Sequence, residues 1–505
     1  MIRSILCNYV GMVIGGLVGF LLTPLLIHGL GDYYYGMWVL AASIVDYYGL
    51  ADIGIRFTLQ RHVARCKGAN ERAALDRTVV TALAISLGVA IIILIVTFAL
   101  AKWLPLAFRV SGGDRGVFVN VLLLLGTSFA VALPGKVLGA YLCGLQRFDL
   151  YNLIGSSTTI VQAILIVWAL QRGYGIEGCA TITLITAVVS LFLQWGMIQV
   201  ADPEASLDLR NTSWHELRWL LSFGSYVFIS QIGDVFRYRL DSLVIASRLN
   251  IALVTHFNIA AKVVEYFRYL HSGIIGPLIT EMSGLEGGSK EEAFQRLFLK
   301  STRITVLLSL LVAALLCIDG RALFYLWVGN AYMSSYAVLV TLVIGRTVQT
   351  MQSPSMVVLL ARGRHKALGW WTLAEGLLNL TLSIYWVGKY GILGVALGTT
   401  VPMLLFRLVV QPWYTLWVAR ISPVRYFAES LARPALVLVT FLVSLRFVSP
   451  SLEHPTVASL LAIVFCQCTV YGVLAYLIGL TGLERQGLFG LVRTHVFSRQ
   501  AVPTV

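Results

Sequence analysis

Charge is scarce in this chain. Only 12% of its 505 residues are Asp, Glu, Lys or Arg, where a soluble globular domain carries about 25%, and the shortage excludes a water-soluble enzyme. Cysteine is equally sparse: Cys7, Cys66, Cys143, Cys179, Cys317, Cys466 and Cys468 are scattered, mostly through apolar stretches. With no CxxC and no histidine at metal-ligand spacing, neither a metal module nor a disulfide framework is expected, and the thiols read as small packing residues. Strand-length alternation of polar and apolar residues is missing too. That excludes a transmembrane β-barrel, whose strands alternate over about ten residues.

What the chain has is apolar length. Hydrophobic residues make up 58% of it and mean hydropathy is +0.81. Apolar runs of about 20 residues recur from end to end, each long enough to cross a hydrocarbon core of about 30 Å. The expected fold class is an all-α polytopic membrane protein. Its 38 Lys and Arg against 24 acids leave a net charge of +14. Most of these bases fall in short loops between apolar runs, so they signal topology and not a nucleic-acid partner.

Hydropathy and breaker residues predict fourteen spans: 8–30, 34–59, 78–100, 117–143, 153–170, 178–200, 219–247, 251–279, 304–326, 335–361, 369–387, 392–412, 431–448 and 457–480. Arg3 precedes the first run without a small-residue cleavage site, so that span is expected to be retained. Alternate loops must then lie on opposite sides. One set carries 22 Lys and Arg and the other 8, which places both termini in the cytoplasm. The segment 289–298 is amphipathic, and Ser289 is its expected N-cap, predicting a short surface helix before span nine. Tyr33-Tyr34-Tyr35, Tyr47-Tyr48 and Trp370-Trp371 read as interfacial or cavity aromatics, with anchoring in the interfacial belt as the default.

The chain also repeats itself. Tyr174-Gly175-Ile176-Glu177-Gly178 opens span six and Tyr390-Gly391-Ile392-Leu393-Gly394 opens span twelve, 216 residues later. Tyr9-Val10 answers Tyr226-Val227, Trp38 with Ala41-Ala42 answers Phe257 with Ala260-Ala261, Pro134 answers Pro354 and Leu142 answers Leu360, at offsets of 217 to 220. Matches in order at a nearly constant offset predict two six-helix lobes, 1–200 and 219–412. A connector, 201–218, joins them, and an added helix pair, 413–480, and a tail, 481–505, follow. Six spans return the chain to its starting side, so the lobes form a parallel repeat with a substrate site expected between them near midplane.

Charges inside spans are expensive, about 2.5 kcal/mol or more at the bilayer centre, and therefore face a bundle interior or a wet cavity. Eight bases, Arg56, Lys136, Arg237, Arg239, Lys262, Arg268, Arg346 and Arg407, stand against six acids, Asp46, Asp52, Asp234, Asp241, Glu265 and Glu375. On span seven Asp234, Arg237 and Asp241 share a helical face; on span eight Lys262, Glu265 and Tyr269 do, with Arg268 at the flank. A hairpin near Leu249 sets both faces at one depth, which allows pairs such as Arg237 with Glu265 and Asp234 with Lys262. An ion-paired seam accounts for the acids, and a surplus of base suits an anionic ligand, because the arginine fork binds phosphate bidentately.

Arg237, Arg239, Lys262, Arg268 and Arg346 are thus the candidate substrate-binding residues, and Asp234, Asp241, Glu265, Glu375 and Asp46 the supporting or coupling acids. Glu375 and Asp46 are candidates for a coupled proton, since low dielectric disfavours an ionised carboxyl. Asp52, Arg56, Lys136 and Arg407 are secondary candidates. The first two are spaced for a local ion pair, and Lys136 and Arg407 lie near enough to the surface to snorkel. His256 and His271 are read as hydrogen-bonding residues. No catalytic residue, metal ligand or cofactor site is expected.

Leu30-Gly31-Asp32, Tyr35-Gly36-Met37-Trp38, Asp52-Ile53-Gly54, Arg61-His62-Val63-Ala64, Gly144-Leu145-Gln146-Arg147-Phe148 and the Tyr-Gly-Ile-x-Gly openings resemble the bacterial polysaccharide-biosynthesis (Wzx-type) flippases. Those belong to the MOP superfamily, together with multidrug MATE exporters and the peptidoglycan-precursor flippases such as MurJ. The resemblance implies a V-shaped two-lobe transporter that moves an undecaprenyl-diphosphate-linked oligosaccharide, of O-antigen or exopolysaccharide, by alternating access. It also implies the lipid bilayer and a glycan polymerase or assembly complex as partners, and it carries over no binding residue. The competing readings are a MATE-like cation-coupled exporter, which would want an acidic cavity, a peptidoglycan-precursor flippase, a membrane polymerase or ligase, and a scaffold. An enzyme would want a larger outward loop than 101–116.

Overall fold

The computed structural model describes residues 2–52, 55–69, 71–205, 212–213, 216, 218, 240–288, 290–448, 456–482 and 484–486. Among them every regular element is helical. The helices are α1 (Ile2–Asp46), α2 (Ile55–Ala69), α3 (Arg72–Ala107), α4 (Arg115–Gly144), α5 (Phe148–Gln171), α6 (Gly175–Ala201), α7 (Asp241–Arg248), α8 (Ile251–Gly287) and α9 (Glu291–Trp327). They continue with α10 (Ser335–Met351), α11 (Ser353–Ala361), α12 (His365–Tyr390), α13 (Ile392–Leu404), α14 (Gln411–Ala419), α15 (Pro423–Tyr426), α16 (Ala432–Val448) and α17 (Val457–Leu474). Nine helical stretches among the described residues are long and apolar enough to cross a membrane. One of these, Tyr9–Leu50, holds most of the first two expected spans; it is divided at Gly31, where the backbone is non-helical (φ +77°, ψ 168°).

These helices are inside out by the standards of a soluble protein. On α3, Ile91, Ile92, Ile95 and Phe98 are 60 to 74% exposed, whereas Ala90, Ile93, Thr97 and Ala101, one helical face away, are buried. Large apolar side chains turned outward and small or hydroxyl-bearing ones turned inward suit a hydrocarbon solvent, where close backbone approach replaces hydrophobic burial. At Gly126 of α4, for example, a Cβ would lie 2.5 Å from Thr97 Cγ2.

The chain divides into two compact units, one of Met1–Ile259 with Thr372–Gly398, the other of Ala260–Trp371 with Thr399–Val505. In the first, α4 packs on α3 and α6, and α1 packs on α5 and α4. An apolar cluster of Leu59, Val63, Leu75, Val79, Tyr141 and Ile198 fastens α2 beneath them. In the second, α9 is the central helix. Phe294 and Phe298 at its start pack with Val357, Val358, Leu416 and Tyr426, and farther along Leu307 packs with Val437, Phe441 and Tyr471 of the added helix pair.

The repeat is visible in where the backbone turns. After α3 the chain passes through Arg109 (φ +52°) and after α9 through Gly329 (φ +95°), and each is followed by a 3-10 turn and the next long helix. After α4 comes Gln146 (φ +63°), with Arg147 N donating to Leu142 O at 2.9 Å; after α11 comes Gly363 (φ +67°), with Arg364 N donating to Leu359 O at 2.7 Å. Gly175 (φ +61°) opens α6 and Gly391 (φ +58°) precedes α13. The offsets, 220, 217 and 216, track those of the sequence matches. Glycine recurs at these turns because only it enters the left-handed region without strain.

Some expectations are corrected. The second span does not run unbroken to residue 59, because a 3-10 segment, Tyr47–Asp52, interrupts it. The tenth is divided at Gln352, with Pro354 in the first turn of α11, as expected where proline lacks an N–H to give. The segment leading into span nine is helical and continuous with it: α9 starts at Glu291 with Lys290 at its N-cap, and Ser289 lies outside the described residues. Tyr35 and Tyr48 are buried, so they are packing residues and not interfacial anchors. Trp370, by contrast, is 71% exposed. The start of span seven lies outside the described residues.

Candidate functional site

An open cavity of about 340 Å³ lies in the first unit, walled by α1, α4, α5 and α6. Asp46 is the acid on its wall, with Ser128, Thr158, Gln162, Thr183, Thr186 and Ser190 as the other polar groups. Four of these hydroxyls spend their hydrogens on their own helices. Ser128 donates to Leu124 O (2.7 Å), Thr158 to Ile154 O (2.7 Å), Thr183 to Cys179 O (2.9 Å) and Thr186 to Ile182 O (2.8 Å). Gln162 Nε2 donates to Thr183 Oγ1 at 3.1 Å. A hydroxyl bound back to the i−4 carbonyl shows its neighbours lone pairs only, so this wall is rich in acceptors and suits a cation or a proton carrier. Lys136 does not stand apart from the cavity: its Nζ lies 4.4 Å from the ring centroid of Phe129, a wall residue that in turn meets Tyr48 edge-on.

The expected cationic set falls on several elements. Arg237, Arg239 and Asp234 lie outside the described residues, as do the side chains of Asp52, Arg56 and His271. Asp241 opens α7. On α8 Lys262 is half-buried and Arg268 exposed; Arg268 Nη2 is 3.3 Å from Glu265 Oε1. Arg346, on α10 of the second unit, donates to Gln349 Oε1. Glu375 is fully buried on α12, on one face with Asn379 and Ser383, whose Oγ donates to Asn379 Oδ1 at 3.0 Å. Arg407 does not snorkel. It sits buried in a π-helical segment, Leu405–Val410, and donates to Gln411 Oε1, while Gln411 Nε2 donates to Gln352 O at 3.0 Å.

A seventh intramembrane acid, Asp319 in span nine, belongs with the six counted from sequence. Its Oδ1 lies 3.5 Å from Nε2 of the buried Gln467 on α17. Its position inside an apolar run was the signal that should have found it. The hydroxyl wall of the cavity was also legible, as Ser and Thr at helical spacing within spans five and six.

One end of each unit is tied by ions. Arg72 Nη1 contacts Asp202 Oδ2 at 2.6 Å and its Nε contacts Asp76 at 3.3 Å, while Tyr141 donates to the same Asp202 oxygen. Burial pushes the Asp202 carboxyl up, but the hydrogen bonds from Tyr141 and Arg72 outweigh it and hold the group below its ordinary value. In the second unit Arg362 spans Glu286 (3.2 Å) and Glu291 (2.5 Å) and caps Val418 O, and Arg303 pairs with Glu484 at 2.7 Å. Burial raises Glu484, and hydrogen bonds from Thr481 together with Arg303 more than reverse that. His62, on α2 beside Thr78, is held below the ordinary histidine value, chiefly by burial, which the negative charge of Glu216 only partly offsets. In both units the loops drawn together are those of the Lys- and Arg-rich set.

A family profile described as polysaccharide biosynthesis protein matches residues 34–337, more than half of the chain. The chain belongs to this family. A putative O-antigen transporter of Shigella flexneri is 22% identical over 421 residues, 82% of this chain and 97% of that one. Among solved structures, an inward-facing MATE family multidrug resistance transporter of the MOP superfamily superposes with a TM-score of 0.69 at 17% identity, covering 83% of this chain and 98% of that one. The lipid II flippase MurJ in its inward closed conformation gives 0.66 at 14% identity, covering 94% and 98%. At these identities the structural likeness shows the fold, and it is the all-helical MATE- and MurJ-like fold read from the sequence.

Proposed function

We propose that this polysaccharide biosynthesis protein is a flippase that carries an undecaprenyl-diphosphate-linked glycan unit, of O-antigen or exopolysaccharide, from the cytoplasmic to the periplasmic leaflet. The observation that carries the reading is the match, over 82% of the chain, to a putative O-antigen transporter within a polysaccharide family, on a multi-pass fold. Both termini lie in the cytoplasm on this reading, the repeats 1–200 and 219–412 rock against each other, and a glycan polymerase or assembly complex receives the product.

A lipid diphosphate cannot cross hydrocarbon unaided, because its charge and the sugar hydroxyls would lose their water. Arg237, Arg239, Lys262, Arg268 and Arg346 replace that hydration by holding the diphosphate, as bidentate and point-charge donors. Acids beside them, as Glu265 is beside Arg268, keep the grip weak enough for release. Asp46, in the acceptor-walled cavity, holds the coupling proton or cation, and Glu375 is its second candidate.

Neutralising all five bases together, with lipid-linked glycan followed leaflet by leaflet after depletion of the native protein, tests the assignment. Flipping should be lost while the variant still inserts; full activity would refute it. A second reading, a MATE-like cation-coupled exporter, draws support from the acceptor-rich cavity. Unchanged survival on cationic dyes after deletion would dispose of it.

A further inference from the structure

The last helix, α17, meets the rest of its unit through polar tips. It turns Leu461, Phe465 and Val473 outward, 52 to 75% exposed, and the two side chains it fully buries are Gln467 and Tyr471, one turn apart on one face. Hydrocarbon gives an apolar helix no drive to bury leucine, so polar contacts of this kind hold it in place. Tyr471 Oη donates to Leu307 O at 2.8 Å. Gln467 Nε2 reaches Asp319 Oδ1 on α9 at 3.5 Å, the outer limit of a hydrogen bond.

Each partner of that second contact keeps an oxygen that is buried and unpaired, Asp319 Oδ2 and Gln467 Oε1. Both are acceptors, and two acceptors cannot satisfy each other. An ionised carboxylate here would sit inside an apolar span, and among the described residues no Lys, Arg or His pairs with it. Arg321, two residues along, leaves α9 on another face; it is exposed and lies over the ring of Tyr336 at 5.1 Å. Tyr336 gives its hydrogen to Cys317 O, as Tyr471 gives its own to Leu307 O. Cys466 and Cys468 flank Gln467 in sequence and so turn to other faces of α17. Among the described residues α16 brings no charged or titratable side chain to this stretch; Arg433 stands at its far end. One hydrogen resolves both deficits. A proton on Asp319 Oδ2 makes the carboxyl donor and acceptor at once, matching the acceptor and donor of the amide.

We propose that Asp319 and Gln467 form a proton-binding site: the Asp319 carboxyl holds a proton on Oδ2 and donates it to Gln467 Oε1, Gln467 Nε2 donates to Oδ1, and the closed ring fastens α17 to α9. Passing the proton to a base in water leaves carboxylate against carbonyl, which opens the ring and frees this turn of α17. A sodium ion fits less well, because hard cations gather about six oxygens and only two are open here. The site lies wholly in the second unit, uses neither Asp46 nor Glu375, and does not rest on the flippase reading.

Infrared spectroscopy of the full-length protein in lipid vesicles at neutral pH, with and without sodium, tests this. Subtracting Asp319→Asn from the parent should isolate one protonated-carboxyl stretch, and Gln467→Leu should shift that stretch because the O–H loses its acceptor. A difference made of carboxylate stretches alone would overturn the proposal, as would a carboxyl stretch that appears only when sodium is withdrawn, or one that Gln467→Leu leaves unmoved. Thermal unfolding in detergent is the independent check. Asparagine supplies as N–H what the acid supplies as O–H, so Asp319→Asn should keep the parent's midpoint at neutral pH and lose less of it in alkali. Asp319→Leu and Gln467→Leu should each lower the midpoint by about 2 °C, the scale of one lost hydrogen bond. An asparagine variant as unstable as the leucine one would show that charge and not a donor is needed there, and the site would fall. If Asp319→Asn fails to insert, the shift in Gln467→Leu decides.

Discussion

The interiors of the two compact units are built on matching turns and filled with opposite polarity. Gln146 in the first unit and Gly363 in the second sit at equivalent positions with φ of +63° and +67°. Yet the first unit holds half-buried Asp46 in an open pocket among hydroxyls whose hydrogens are spent, whereas the second buries Arg303 and Arg407 against carbonyl, carboxylate and amide oxygens. What repeats is where the chain reverses; what each half buries is free to diverge. A helical repeat can therefore hold two chemistries, a cation-seeking wall in one half and guanidinium groups in the other.

The strongest way to break this comparison is to remove the acid from the first interior. Asp46→Asn should lower gradient-driven flipping about a hundredfold, the scale of a lost proton-transfer group, with substrate binding retained; undiminished flux would leave the cavity without a role in coupling. Next comes the second interior. Arg303→Ala strands Glu484, whose side chain is 11% exposed, and should cost about 3–5 kcal/mol, as for a broken buried pair, measurable as a fall in thermal stability in detergent.

Smaller effects sharpen the comparison at the ion-tied ends. Tyr141→Phe removes a hydrogen bond from Asp202 and should cost about 1–3 kcal/mol. Because Asp202 titrates below its ordinary value when folded, its contribution is full above about pH 3.9 and is lost as pH falls through the lower folded value. A titration of stability from neutral to acid pH should show Tyr141→Phe converging on the parent at the acid end. The smallest effect belongs to His62, whose folded value also lies below ordinary. Its contribution is present above about pH 6.5 and disappears on acidification, so His62→Asn should flatten the stability profile slightly in that range. An unchanged slope would assign it elsewhere.

Much of the architecture was legible beforehand because membranes simplify the code. Apolar length marks spans, and basic loops mark one end of each unit, where Arg72 and Arg147 lie in the first and Arg362 and Arg425 in the second. Individual charges were less legible. Arg407 looked free to reach the surface and is instead held by Gln411 in a π-helical turn that no periodicity announces. Asp319 was legible as an acid inside an apolar run, but its partner, Gln467, 148 residues away, was not. Tyr35 resembled an interfacial aromatic until its packing beside α8 was known.

Composition and periodicity by themselves determined that this chain lives in a bilayer, folds wholly as helices and repeats at an offset near 217, because those properties follow from local transfer energies and backbone sterics. Only the tertiary structure decided which polar groups face one another. Whether a hydroxyl offers its hydrogen or its lone pairs, and whether a glycine marks a loose turn or the closest meeting of two helices, depends on neighbours distant in sequence.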